Sequence, residues 1–252
     1  MTEDKSIKNW FGENLAELLG EKILRVNTGF NKSGFVQKVR AEYEPYSYTK
    51  RIELIADALK QYLPEEYREA ITILIGILGE ENRNETGMFK NYYWILPIGK
   101  FIEKYGVEYF EISVGAIEEV TKRNTGEYAI RPFARKYPEK TLAVCKNWAF
   151  SENFHLRRLA SEGLRPKLPW AAKLDVWLNN PQPVFEILEL LKEDDVKFVK
   201  KSVANHLRDW LKVNRTEAMK VINRWSESEN VHTRWILKHA QRRLSQTRNP
   251  VA

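Results

Sequence analysis

Three stretches decide the fold: SENFHLRRLASEGL (151–164), DDVKFVKKSVANHL (194–207) and SENVHTRWILKHAQ (228–241) align without gaps. They begin 43 and 34 residues apart, the spacing of two-helix repeats. Each opens with Ser or Asp and an acidic neighbour, which predicts an N-cap and a first helical turn. Each then places a cation at the same position, Arg157, Lys200 or Arg234, and the first two are flanked by Arg158 and Lys201. A preceding apolar helix ending in Trp148, Leu191 or Trp225 completes each unit. Such units bury their apolar faces only by stacking, so an α-solenoid is expected, with equivalent helices lining one concave surface. Cations at equivalent positions would then form a stripe along a groove, which suits a nucleic-acid backbone.

Outward from these repeats the helical period continues. RIELIADALKQYL, YREAITILIGIL, VEYFEISVGAIEEVTKR, PVFEILELLKE and TEAMKVINRW all carry apolar residues at helical spacing, and alternating strand patterns are almost absent. Pro64, Gly79, Gly106 and Asn179-Asn180-Pro181 supply the breaks. The expectation is an all-α chain forming one repeat domain over 1–252, with an N-terminal helical part (1–126) and basic repeats (127–252) that carry the site.

The formal charge of +7 is unevenly spread. Residues 1–126 hold 17 Lys+Arg against 20 Asp+Glu, whereas residues 127–252 hold 24 against 14. A field concentrated in one half attracts a polyanion better than the same charge spread evenly, because several phosphates are neutralised together. A solvated basic surface accounts for the charge equally well when charge is taken alone. Cys145 is the one cysteine and the four histidines lack ligand spacing, so neither a disulfide nor a metal site is expected. The charged, amphipathic N-terminus does not resemble a signal peptide, and no segment reads as a membrane span. A cytoplasmic, nucleoid-associated protein is expected.

The segment EYAIRPFARKYPEKTLAVCKNW (127–148), followed by HLRRLASEGLRPKLPWA (155–171) and KKSVANHLRDW (200–210), closely resembles the AlkC family of DNA alkylation-repair glycosylases. Weaker likeness extends through IADALKQYLPEEY and FKNYYWILPIGKFIEKYG, so the resemblance covers essentially the whole chain. It implies a HEAT-like solenoid that grips duplex DNA and hydrolyses the N-glycosidic bond of cationic bases such as 3-methyladenine and 3-methylcytosine. It also implies a monomer without a cofactor. One branch of the family carries an immunoglobulin-like domain, which the form ending at Ala252 is expected to lack.

Carried over residue by residue, the family's acidic residue in E-[FY]-A-I-R-P-F falls on Glu127, and its second carboxylate, in S-V-A-N-H-L-x-D, falls on Asp209. The aromatic of R-P-[RK]-L-P-W falls on Trp170, and Arg165 opens that motif. Lys167 stands where arginine is common, a real change for bidentate binding. Arg131, Arg157, Arg158, Arg165, Lys167, Lys200, Lys201, Arg208 and Arg234 are the expected DNA contacts. Tyr92, Tyr93 and Trp94 join Trp170 as candidate lesion contacts.

A cationic base already leaves well, so the remaining tasks are to stabilise an oxocarbenium-like sugar and to position water, both suited to ionised carboxylates. Glu127 and Asp209 are assigned these tasks jointly. The face of Trp170 would favour a cationic base over its neutral counterpart. No lysine in these motifs stands out as an imine-forming nucleophile, so hydrolysis without strand cleavage is expected.

Taken singly, Glu127 also reads as a first-turn acid, and Asp209 as an ordinary surface ion pair. Trp148, Trp177, Trp210, Trp225 and Trp235 read as core, Tyr92 to Trp94 as packing, and the histidines as caps or packing. The rival to the enzyme is a non-catalytic HEAT-like protein that binds duplex or branched DNA. A protein-interaction scaffold is the third reading.

Overall fold

A computed structural model describes residues 6–87 and 89–242. The extreme C-terminal arginines of the basic half therefore lie outside the described residues. Among those described there are fourteen α-helices, two short 3-10 helices and no strand. Contacts divide the chain into two compact units, one ending at Ala129 and the other beginning at Ile130.

Unit 1 holds α1 (Glu13–Leu24), α2 (Lys32–Glu42), α3 (Tyr48–Tyr62), α4 (Tyr67–Gly76), α5 (Phe89–Tyr92), α6 (Leu96–Tyr105) and α7 (Phe110–Thr121). Successive helices pack in pairs, α1 with α2, α2 with α3, α3 with α6, and α4 and α6 with α7. The core between them is apolar and aromatic, with Phe11, Leu15, Phe35, Ile55, Leu59 and Phe101 withdrawn from water. The predicted breaks fall where the helices end. Gly106 closes α6, and Gly79 adopts a φ of 74° just after α4, a left-handed conformation open to glycine at little cost.

Unit 2 holds α8 (Ile130–Lys136), α9 (Pro138–Ala149), α10 (Phe154–Glu162), α11 (Gln182–Leu191), α12 (Lys197–Val213), α13 (Arg215–Ser226) and α14 (Val231–Gln241). The three aligned stretches are α10, α12 and α14 with their entry turns, and each follows its apolar partner, α9, α11 or α13. The partners end at, or one residue after, Trp148, Leu191 and Trp225, all buried. The equivalent helices lie side by side, α10 against α12 and α12 against α14, while α9 packs on α11. Trp177 and Trp210 are buried too, as their spacing predicts.

The helices are capped two residues later than the sequence suggests. Ser151 and Ser228 accept a hydrogen bond from the backbone N–H two residues on, at 3.1 and 3.2 Å, and Asp194 does the same at 2.9 Å. The N-caps are the residues those turns deliver, Asn153, Val196 and Asn230. Asn153 and Asn230 accept from His155 and His232 N–H, whereas Val196 has no side-chain acceptor. Serine or aspartate thus orients the turn, and the asparagine satisfies the first helical N–H groups.

Candidate functional site

The repeat-equivalent cations brace their own repeats. Arg157 donates to the carbonyls of Ser151 and Glu152 at 3.0 and 2.9 Å and pairs with Asp194 of the next repeat at 2.6 Å. Arg234 donates to the Ser228 carbonyl at 3.0 Å, the same position in its own turn. Lys200 lies 2.9 Å from Nδ1 of His232. Equivalence in a repeat fixes position, and at this position turn carbonyls need donors. The more open row of cations runs along another face of α12. Lys197, Lys201, Arg208 and Lys212 recur there at helical spacing, and the three lysines are exposed.

At the centre of unit 2 lies a buried ionic group. Arg165 places Nη1 2.6 Å from Glu162, while its Nε and Nη2 lie 2.8 and 2.7 Å from Oδ2 of Asp209. Glu162 also accepts from Ser202 at 2.6 Å and stands 3.4 Å from Arg158. Burial opposes the ionisation of Glu162, but Arg158, Arg165 and Ser202 outweigh it and hold the carboxyl below its ordinary value. Asp209 goes the other way, because burial pushes its carboxyl above the ordinary aspartate value against the pull of Arg165. Beside them His206 is fully buried, and burial lowers its imidazole to about 3.

Asp209 opens onto a cleft of about 390 Å³ lined by Arg165, Lys167, Pro169, Asn205, Arg208 and Lys212, among others. It is the one carboxylate in a wall of cations. Arg208 is tied by its guanidinium to the carbonyls of His239 and Ala240 at the end of α14. A second groove, of about 470 Å³, continues along α12, where Lys197, Lys201 and Arg208 face Trp235, His239 and Arg242. Trp170 follows Pro169 directly, is 81% exposed and holds a φ of 59°. It is the only non-glycine residue with positive φ among those described.

Arg131 lies inside the unit, 2% exposed, and donates to the carbonyls of Arg165 and Ala172 at 2.8 and 2.6 Å. A guanidinium so placed is removed from a phosphate surface. Arg158 stacks on the Phe198 ring at 4.9 Å while reaching Glu162.

Glu127 and the Tyr92–Trp94 cluster belong to unit 1. The Glu127 carboxylate accepts from the Thr125 hydroxyl at 2.8 Å and is 8% exposed. The adjacent Asn124 donates to the Tyr92 carbonyl at 2.7 Å, so the turn before Glu127 is anchored to the aromatic cluster. Tyr93 packs edge-on against Trp10 and Phe11, and Trp94 is buried beneath Lys22. These contacts favour packing for Tyr93 and Trp94. The structure therefore gathers Asp209, Arg165, Lys167, Arg208 and the Trp170 loop in unit 2, and Glu127 with Tyr92 in unit 1. Sequence reasoning missed Glu162, although its i,i+3 spacing to Arg165 was a signal for a side-chain pair.

Residues 110–244 match the family model described as DNA alkylation repair enzyme. The uncharacterized protein YhaZ of Bacillus subtilis (strain 168) is 36% identical over 239 residues, covering 94% of this chain and 64% of that protein. The Pseudomonas fluorescens alkylpurine DNA glycosylase AlkC bound to DNA containing an abasic site analog matches with a TM-score of 0.86 at 31% identity. That match covers 95% of this chain and 65% of that one. The chain thus spans just under two thirds of the length of these relatives and shares the all-α repeat fold of AlkC. Since the family model accounts for more than half of its residues, the chain belongs to the DNA alkylation repair enzyme family.

Proposed function

We propose that this chain is a monofunctional DNA glycosylase that excises positively charged N-alkylated bases, of the 3-methyladenine and 3-methylcytosine type, from duplex DNA. The observation that carries the reading is the placement of Asp209, a buried carboxylate opening onto a cleft whose other charged residues are all cations. In a surface built only to hold phosphates, an acid weakens the grip. Its presence there makes sense if it acts on a developing positive charge.

Lys167 and Lys212 hold phosphates on either side of the lesion. The indole of Trp170 meets the cationic base or its sugar. As the C1′–N bond breaks, its electron pair neutralises the departing base, and positive charge moves onto the sugar. Asp209 stabilises that charge, and a carboxylate whose pKa is raised by burial is also a stronger base toward water. The water oxygen bonds to C1′, its proton passes to the carboxylate and then to solvent, and a neutral base and an abasic site remain. Glu127 is retained as the second carboxylate on the strength of its motif. Glu162 keeps Arg165 from neutralising Asp209 alone, since one guanidinium serves two acids.

The test is release of free base from duplex DNA carrying methylated bases, followed chromatographically beside Asp209→Asn and Glu127→Gln variants shown to be folded. Release by the native chain and loss in Asp209→Asn is expected. Tight, salt-sensitive binding without release would make the chain a binding-only relative and overturn the mechanism.

A further inference from the structure

The segment between α10 and α11 is the longest irregular stretch of unit 2 among the described residues. It carries Trp170 in a backbone conformation that costs an L residue free energy, and it leaves a large indole in water. Such an arrangement persists where the surroundings over-determine it. The restraint comes from α8. Nη1 of Arg131 reaches the carbonyls of Arg165 at 2.8 Å and Gly163 at 3.4 Å, and its Nη2 reaches Ala172 at 2.6 Å. One turn on, Arg135 donates to Ala172 and Lys173 at 3.4 and 3.2 Å. Carbonyls before and after Trp170 are therefore held from a single helix. The Arg165 carbonyl gripped by Arg131 belongs to the residue whose guanidinium holds Asp209.

We infer that Arg131 and Arg135 form a clamp that presets the Trp170 loop and fixes its register against Asp209. Arg131 is on this account a positioning residue, not a phosphate contact. The requirement is for a planar fork that spans several carbonyls, which a lysine ammonium cannot reproduce. A phosphate contact, by contrast, tolerates lysine as a point charge. The consequence for lesion binding rests on the glycosylase reading above, whereas the clamp itself does not.

Two measurements on the full chain separate the cases. Trypsin cleavage after Lys167 and Lys173 should quicken about tenfold in Arg131→Lys, and less in Arg135→Gln, because the loop opens locally more often. Arg135 is exposed, so its variant keeps the test available if the Arg131 variant fails to fold. Unchanged cleavage in folded variants overturns the clamp. The second measurement is binding, by fluorescence anisotropy, of a duplex with an abasic-site analogue against an undamaged duplex. Arg131→Lys should lose the same fold-preference as Trp170→Ala, and the double variant should lose no more, with the salt dependence unchanged. Full additivity, or a salt slope lower by about one, overturns the inference. Should Trp170→Ala leave the preference intact, the lesion-contact reading of Trp170 fails, and the cleavage result alone carries or overturns the clamp.

Discussion

The two units use the same helical pairs and treat charge in opposite ways. In unit 1 the ion pairs stay near water, as with Lys104 between Glu53 and Asp57, or Lys122 beside Glu119. Its one buried guanidinium among the described residues, Arg51, donates to the backbone carbonyls of Lys8, Glu44 and Tyr46 and lies over the Tyr43 ring, and these partners carry no opposite charge. Unit 2 buries Glu162, Arg165 and Asp209 together and surrounds them with Ser202 and His206. Burying ions costs several kcal/mol each unless geometry and extra hydrogen bonds offset it, and apolar replacements of similar shape often do as well or better. A cluster of this kind is poor value as scaffolding. The contrast therefore separates a unit whose ion pairs lie near water from one that buries two acids and a guanidinium together, while Glu127, the second carboxylate of the proposed function, sits buried in the first.

The sharpest way to break that contrast is Arg165→Met. It leaves the buried Asp209 without its guanidinium and Glu162 with only Arg158 and Ser202, and a loss of about 3–5 kcal/mol is expected in urea unfolding, against about 1–3 kcal/mol for Arg51→Met in unit 1. Equal losses would erase the distinction. Next comes Asp209→Asn, for which base release should fall by roughly 10²–10³, with DNA affinity kept or raised because a negative charge leaves the cleft. A fall in affinity matching the fall in rate would move Asp209 from chemistry to binding.

The buried histidine gives a pH test. The folded value of His206 lies near 3, below the ordinary 6.5, so the unfolded chain binds its proton first as the pH falls. Its contribution is fully present above pH 6.5 and declines by about 1.4 kcal/mol per pH unit as the pH drops toward 3. Unfolding free energies at pH 7, 6 and 5 should show the slope, and His206→Leu should remove one proton's worth of it. Smaller still, Lys201→Ala should lower the salt slope of DNA binding by about one without changing the unfolding midpoint. At the bottom of the scale, Lys104→Ala should cost under about 1 kcal/mol, as a partly exposed pair does.

The helices and the repeat were legible because they are written in periods, and a period survives whatever the side chains do. The direction of a charge is not written that way. Arg157 and Arg234 recur in phase, yet the phase places them over turn carbonyls, and only packing reveals it. Arg131 looked like a phosphate contact in its motif, but α8 turns it inward. Glu162 was within reach of sequence reasoning through its spacing to Arg165, whereas the tie between Arg165 and Asp209 spans 44 positions and has no local signature. Pro166 and Pro169 announced a loop at Trp170 without announcing its left-handed backbone.

Trp170 has one more consequence. Of the eight tryptophans, the other seven are buried or half-buried. A quencher dissolved in the surrounding water, such as iodide or acrylamide, will therefore collide with one indole far more often than with the rest. Trp170 follows Pro169 of the cleft lining and so gives the chain its own optical reporter there, and the proposed function predicts that unlabelled DNA shields this indole from the quencher.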